Sequence, residues 1–235
     1  MMLTKGNERE MKFVLLGFAE FPHLLAALFL LLLAIYMVTL VGNLGMIVVV
    51  NVIPKFQTPM YFFLVHLFFL DFCYSSVVTL KLLEILVVKD RTIPFKGCMT
   101  QFFFACTFVT VEMFMLAVIA YAQFVAVCNP LLYTVPMSPK LCDVLVAGNY
   151  IWGALCSLTL TCSLLELSYC GHNIIKHYCC EYSAILSLSF SNTYFIQMVM
   201  LVISTLNEAC SLLITLTSYV FIVVTIIKMP SVGGL

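Results

Sequence analysis

The chain has 235 residues, 63% of them hydrophobic and 9% charged, with a mean hydropathy of +1.13. That composition excludes an ordinary soluble domain and marks a membrane protein. Eleven Lys and Arg balance eleven Asp and Glu, which leaves no basic field to hold nucleic acid and no acidic tail.

A spanning helix needs about 20 mostly apolar residues, and five runs satisfy this. The first, Leu24 to Val50, carries no charge; the second, Met60 to Leu80, contains only Asp71; the third, Gly97 to Cys128, contains only Glu112. The fourth, Val144 to Leu165, carries none, and the fifth, Phe195 to Ile227, contains only Glu208. Each is predicted to be helical, because hydrocarbon cannot satisfy open backbone groups. Pro54 and Pro59, then Pro94, then Pro130, Pro136 and Pro139 punctuate the connections. The first run is too long for a signal-peptide core and no small-residue cleavage pattern follows it, so it reads as a signal anchor. The predicted fold class is an all-α membrane protein, with an N-terminal segment 1–23, a five-helix bundle 24–228 and a short tail 229–235.

Loop charge gives one orientation. Lys5, Arg9, Lys12, Lys81, Lys89, Arg91, Lys96 and Lys176 fall on the N-terminal side, and only Lys55, Lys140 and Lys228 on the other. Taken alone, this places the N-terminus in the cytoplasm.

Asp71, Glu112 and Glu208 lie at membrane depth, where an ionisable group is expensive unless it faces a bundle interior and finds a partner. Glu208 is expected to seek a partner helix beyond the five, which predicts instability or self-association. Paired carboxylates also suggest acid-base catalysis, but an intramembrane aspartyl protease needs two aspartates on facing helices and only Asp71 lies well within a run. No His-Glu-x-x-His helix occurs among His23, His66, His172 and His177, so neither enzyme activity nor a cofactor is expected. Most of the eleven cysteines fall inside apolar runs, where cysteine acts as a small hydrophobe. Cys98, Cys170, Cys179 and Cys180 lie near segment ends; His172, His177, Cys179, Cys180 and Glu181 are an alternative grouping as a soft metal site.

Several strings resemble the olfactory receptors, a branch of the rhodopsin-like G-protein-coupled receptors, and they run in that family's order. They are Phe13-Val14-Leu15-Leu16-Gly17-Phe18, Gly42-Asn43, Thr58-Pro59-Met60-Tyr61-Phe62-Phe63-Leu64 and Leu70-Asp71-Phe72-Cys73-Tyr74-Ser75-Ser76. Ala120-Tyr121, Val125-Ala126-Val127-Cys128, Asn129-Pro130-Leu131-Leu132-Tyr133, Trp152-Gly153 and Ser218-Tyr219 continue the series. The resemblance reverses the charge-based orientation: it implies an N-terminus outside the cell and residues 229–235 in a truncated third cytoplasmic loop. It further implies a plasma-membrane protein that binds a small volatile odorant and signals to a heterotrimeric G protein.

Residue by residue, the resemblance implies a disulfide between Cys98 and Cys180, with Cys170 either free or paired with Cys179 because Phe190 stands where the family's second partner falls. Asn43, Asp71 and Glu112 match a polar cavity that takes a sodium ion in the family; here a protonated carboxylate or a contact between two chains are the alternatives. Cys106, Val109, Thr110, Ile203 and Asn207 match the odorant pocket, although apolar residues on a spanning helix are commonly lipid or helix contacts. Ala122-Gln123-Phe124 stands where the family has Asp-Arg-Tyr, so with Tyr219 the G-protein switch is degenerate: Gln123 carries no charge and Ala122 cannot restrain it.

The chain stops at Lys228-Met229-Pro230-Ser231-Val232-Gly233-Gly234-Leu235, and the sixth and seventh helices of the family are expected to be missing, leaving signalling without its moving element. The N-terminal segment has no Asn-x-Ser/Thr sequon, which the family carries there for surface maturation, so retention in the endoplasmic reticulum is an alternative to the plasma membrane. The alternatives are a non-signalling membrane partner of intact receptors and a relic of a decayed gene.

Overall fold

The structure is a computed structural model that describes residues 12–15, 22–56, 58–87, 92–128, 137–167, 169, 174–175, 180–189 and 193–228. Five long helices form the bundle: α1 (Pro22–Val52), α2 (Pro59–Val87), α3 (Phe95–Cys128), α4 (Pro139–Leu165) and, after the short α5 (Tyr182–Leu186), α6 (Tyr194–Lys228). All five are long and apolar enough to cross a membrane. They contain the five apolar runs and extend beyond each at one or both ends.

Proline sets several of these starts. Pro22, Pro59 and Pro139 each open a helix, where the missing N–H costs nothing and the fixed φ suits the first turn. The Ser138 hydroxyl caps α4 by accepting from the Leu141 N–H at 3.4 Å, which satisfies one of the orphan donors there. The second run is predicted to stop at Leu80, yet α2 continues to Val87 through Lys81 and Glu84. Those two charges lie three residues apart and pair at 2.9 Å, so the helix end carries no unpaired charge at that turn.

α3 is the central helix, in contact with α2, α4 and α6, while α1 packs chiefly on α2. Burial follows this order. α3 buries residues along its whole length, from Cys98 to Val125, whereas α6 buries only Ile196, Ser211 and Ser218. The apolar side chains exposed on α1 and α6 are expected of lipid-facing surfaces, because lipid tails are as apolar as leucine and do not drive such faces together. Directed contacts do that work. The Tyr36 and Ser76 hydroxyls meet at 3.2 Å between α1 and α2, and the Ser211 hydroxyl donates to the Met113 carbonyl at 2.7 Å between α6 and α3.

Gly153 controls the α3–α4 approach. A Cβ at this position would sit 2.5 Å from Val111 Cγ2 and 3.1 Å from the Thr107 carbonyl oxygen, so the two backbones come as close as they do only because the side chain is absent.

Two buried clusters divide the bundle. One, at the end where α3 begins, gathers Ile85, Cys98, Met99, Phe102, Leu160, Leu164 and Ile185. The other, toward the opposite end, gathers Phe63, Leu70, Val111, Met115, Ala122, Val125 and Val146.

A small sheet, absent from the expected all-α organisation, covers the first end. Its order is β2 (Thr92–Pro94), β1 (Lys12–Leu15), β3 (Ile174–Ile175). β1 pairs antiparallel with β2, Phe13 opposite Ile93, and parallel with β3, Val14 opposite Ile174. Pro94, which has no N–H to give to a ladder, lies on an edge strand as it must.

Candidate ligand cavity and helix-end contacts

Cys98 opens α3 and is bonded to Cys180, with a Cα separation of 5.4 Å and a sequence separation of 82. The bond holds the segment before α5 against the core. Tyr182 continues the attachment: its ring stacks on Phe102 at a centroid distance of 6.4 Å, and its hydroxyl donates to the Ile196 carbonyl at 2.8 Å. Tyr169 does the same at the end of α4, donating to the Leu164 carbonyl at 2.8 Å while its ring meets Phe95. Burial raises both phenols above their ordinary ionisation range. Cys170, Cys179, His172 and His177 lie outside the described residues, and so do Asn129-Pro130-Leu131-Leu132-Tyr133 and residues 229–235. The soft metal grouping loses Cys180, whose sulfur is in the disulfide.

Beneath this attachment lies a cavity of about 360 Å³. Cys106, Val109 and Thr110 line it from α3, at the i, i+3, i+4 spacing that puts three side chains on one helix face. Ile203 and Asn207 line it from α6, one turn apart. All five positions singled out in the sequence therefore meet on one wall system. The sequence did not single out Gln101, Phe102, Leu160 or Tyr182, which line the same space, and Glu181 and Glu208 line it too. These residues carry no local motif; only the packing of α2, α3, α4 and α6 brings them together.

Asn207 has a second task. Its Oδ1 accepts from the Trp152 indole N–H at 3.0 Å, and its amide donates to the Cys156 sulfur at 3.8 Å. Both partners lie on α4, so the side chain bridges α6 to α4 from the cavity wall.

Asn43, Asp71 and Glu112 sit on α1, α2 and α3, one on each helix, and all three are half-buried. The carboxylates of Asp71 and Glu112 are near enough to repel one another. Among the described residues neither has a basic partner at ion-pair distance. Asn43, Asp71 and Glu112 all carry side-chain oxygens, the hard donor type that alkali and alkaline-earth cations take.

At the opposite end, Ala122 is fully buried in the apolar cluster, while Gln123 and Phe124 are half-buried. Phe124 meets Phe221 of α6 at a ring-centroid distance of 5.6 Å, and the Cys128 sulfur lies 3.1 Å from the Thr225 hydroxyl. Tyr219 stands 48% exposed; the α6 ring that meets Phe124 is that of Phe221.

These features define a class by fold: a bundle of apolar spanning helices centred on the third, with a disulfide from the first turn of that helix to the segment before α5. A crystal structure of squid rhodopsin superposes with a TM-score of 0.70 at 17% identity, over 88% of this chain and 54% of that one. The chain thus spans about half the length of that receptor. A family model described as olfactory receptor matches residues 32–234. Olfactory receptor 1165 of Mus musculus is 72% identical, and Olfactory receptor 5D18 of Homo sapiens 58% identical, each over 100% of this chain and 75% of the relative. The chain belongs to the olfactory receptor family. It is a multi-pass protein of the plasma membrane, and its family is one of receptors rather than enzymes.

Proposed function

We propose that this chain binds a small, mostly apolar odorant in the cavity beneath the Cys98–Cys180 bond, and that it engages a heterotrimeric G protein weakly at the opposite end. The observation that carries the first half is the convergence of Cys106, Val109, Thr110, Ile203 and Asn207 on one half-open, chiefly apolar space, the kind of site that small ligands occupy. In this reading the disulfide end faces outside the cell and the Ala122 end faces the cytoplasm.

The second half rests on Ala122 and Gln123. The family's arginine at the second of these positions presents a cationic fork, restrained by the preceding aspartate. Gln123 is neutral, and Ala122 has no carboxylate to hold it. Asn43, Asp71 and Glu112 would hold a sodium ion between α1, α2 and α3. Its role would be to neutralise the two carboxylates at membrane depth.

Two readouts on the same preparation test the proposal. Thermal unfolding of the chain in lipid nanodiscs, screened against odorants, is expected to show stabilisation by some of them. Odorant-dependent cAMP in cells expressing the chain is expected to stay near background. Robust cAMP would overturn the coupling half, and the absence of any stabilising odorant would overturn the binding half.

A further inference from the structure

At the end of the bundle opposite the ligand cavity, the ends of three helices leave a groove of about 400 Å³. Val50 enters it from the last turn of α1, Phe62 and Val65 from the first turns of α2, and Asp143 from the start of α4, while Phe56 lines it from the connection between α1 and α2. The walls are chiefly apolar, and the groove lies where the spans end, at the depth of lipid headgroups. Both signs of charge flank it. Lys55 adjoins the lining residue Phe56 in the chain and Lys140 adjoins the lining residue Pro139, so each ammonium reaches the rim on its flexible stem. Both lysines are exposed, and among the described residues neither makes an ion pair. The first residues of α2 and α4, Pro59 and Pro139, also line the groove, which brings the positive ends of two helix dipoles to it. The one carboxylate on its wall is that of Asp143, exposed, near enough to act on the His66 ring, and not at ion-pair distance from Lys140 although only three residues separate them.

We propose that this groove binds phosphatidylserine from the adjoining leaflet, with one acyl chain against Val50, Phe62 and Val65, the phosphate and serine carboxylate at Lys55 and Lys140, and the serine ammonium at Asp143. An acyl chain gains little by leaving lipid for an equally apolar wall, so selection rests on the headgroup. The rim offers two ammonium groups and one carboxylate; the serine headgroup offers two anionic groups and one ammonium, the complementary set for charge-assisted hydrogen bonds. Ethanolamine and choline headgroups have one anionic group for two lysines. A glycerol headgroup is anionic but brings no ammonium to Asp143. In the orientation proposed above the groove opens to the cytoplasmic leaflet, where anionic lipids of this kind reside. The site is separate from the odorant cavity and does not depend on it.

The test titrates the full chain, purified in mild detergent, with lipids of matched acyl chains bearing serine, glycerol, ethanolamine or choline headgroups, and with cholesterol, and reads bound adducts by native mass spectrometry. Phosphatidylserine is expected to bind at least about fivefold tighter than the other lipids. Lys55→Gln and Lys140→Gln, both at exposed positions, are each expected to weaken it about fivefold. Asp143→Asn is expected to bring phosphatidylserine to parity with phosphatidylglycerol while leaving the latter no weaker. A retained Cys98–Cys180 bond and unchanged helix content show that each variant is folded. Equal binding of phosphatidylserine and phosphatidylglycerol by the unaltered chain would overturn the choice of the serine headgroup. Phosphatidylserine binding that survives both lysine substitutions, or occupancy by cholesterol alone, would overturn the site.

Discussion

The indole N–H of Trp152 donates to Asn207 Oδ1 across 3.0 Å, joining α4 to α6. These two helices otherwise touch little, so the bond does much of the joining, and Asn207 completes it through Cys156. Trp152 is itself half exposed, with one ring edge toward lipid and its N–H turned inward, as the amphipathic indole allows. Trp152→Phe is expected to destabilise the bundle by about 0.5–1 kcal/mol, the usual worth of a hydrogen bond between membrane helices. Asn207→Leu should cost a similar amount or more, and a double-mutant cycle read by unfolding in detergent should return a coupling of the same size.

The neighbour of Trp152 gives the opposite kind of prediction. Gly153→Ala places a Cβ 2.5 Å from Val111 Cγ2, so α4 must move off α3 or Val111 must leave its rotamer, at a cost of about 1–3 kcal/mol. At Gly148, on the same helix, an added methyl group would meet nothing within 4 Å. Gly148→Ala is expected to be neutral or stabilising by up to about 1 kcal/mol, since alanine is the better helix former. Paired thermal unfolding curves of the two variants check both.

Ala122 predicts a conflict between the family's motif and this chain's packing. It is fully buried among apolar side chains, so Ala122→Asp alone buries a carboxylate beside a neutral Gln123 and should destabilise by about 1–3 kcal/mol. Adding Gln123→Arg supplies the counter-charge and should recover part of the loss. The double variant is also expected to raise basal cAMP above that of the parent chain, a direct comparison in transfected cells.

Loss of the disulfide should loosen one end of the bundle and spare the other. Cys98→Ser with Cys180→Ser opens a loop whose ends are 82 residues apart in sequence, for which the chain-entropy account gives up to about 4.5 kcal/mol. Hydrogen exchange is expected to rise around α5 and the start of α3, and to change little around Phe124 and Phe221.

Alkaline pH should act on that same end. Tyr182 ionises above its ordinary value of 10.0 because of burial, so the folded chain holds its proton longer than the unfolded chain does. The stabilisation is complete below pH 10.0 and falls as pH rises through the higher folded value. Titration of tyrosine absorbance should show a late-ionising component that Tyr182→Phe diminishes.

The apolar runs made the spanning helices legible, because length and the absence of charge suffice when the solvent is hydrocarbon. Helix ends were less so. α2 runs on past Leu80 because Lys81 and Glu84 neutralise each other, and α4 starts at Pro139 with Lys140 and Asp143 in its first turns, where charge lies near the interface. The cavity positions Cys106, Val109, Thr110, Ile203 and Asn207 were reached through family resemblance and not from periodicity. Gln101 was invisible to either route, since what distinguishes it is the absence of a partner for one buried oxygen. The sheet escaped notice because its strands are two to four residues long and pair across the chain rather than locally.

The placement of β1 between β2 and β3 sets a timetable for biosynthesis. Val14 pairs with Ile174, and at roughly 5–20 residues per second the ribosome needs on the order of ten seconds or more to reach the later strand. Throughout that interval the early strand has at most its β2 partner, with one backbone edge open to chaperones and to mispairing. The order of emergence from the translocon therefore makes closure of this small sheet one of the last local events in the maturation of the nascent chain.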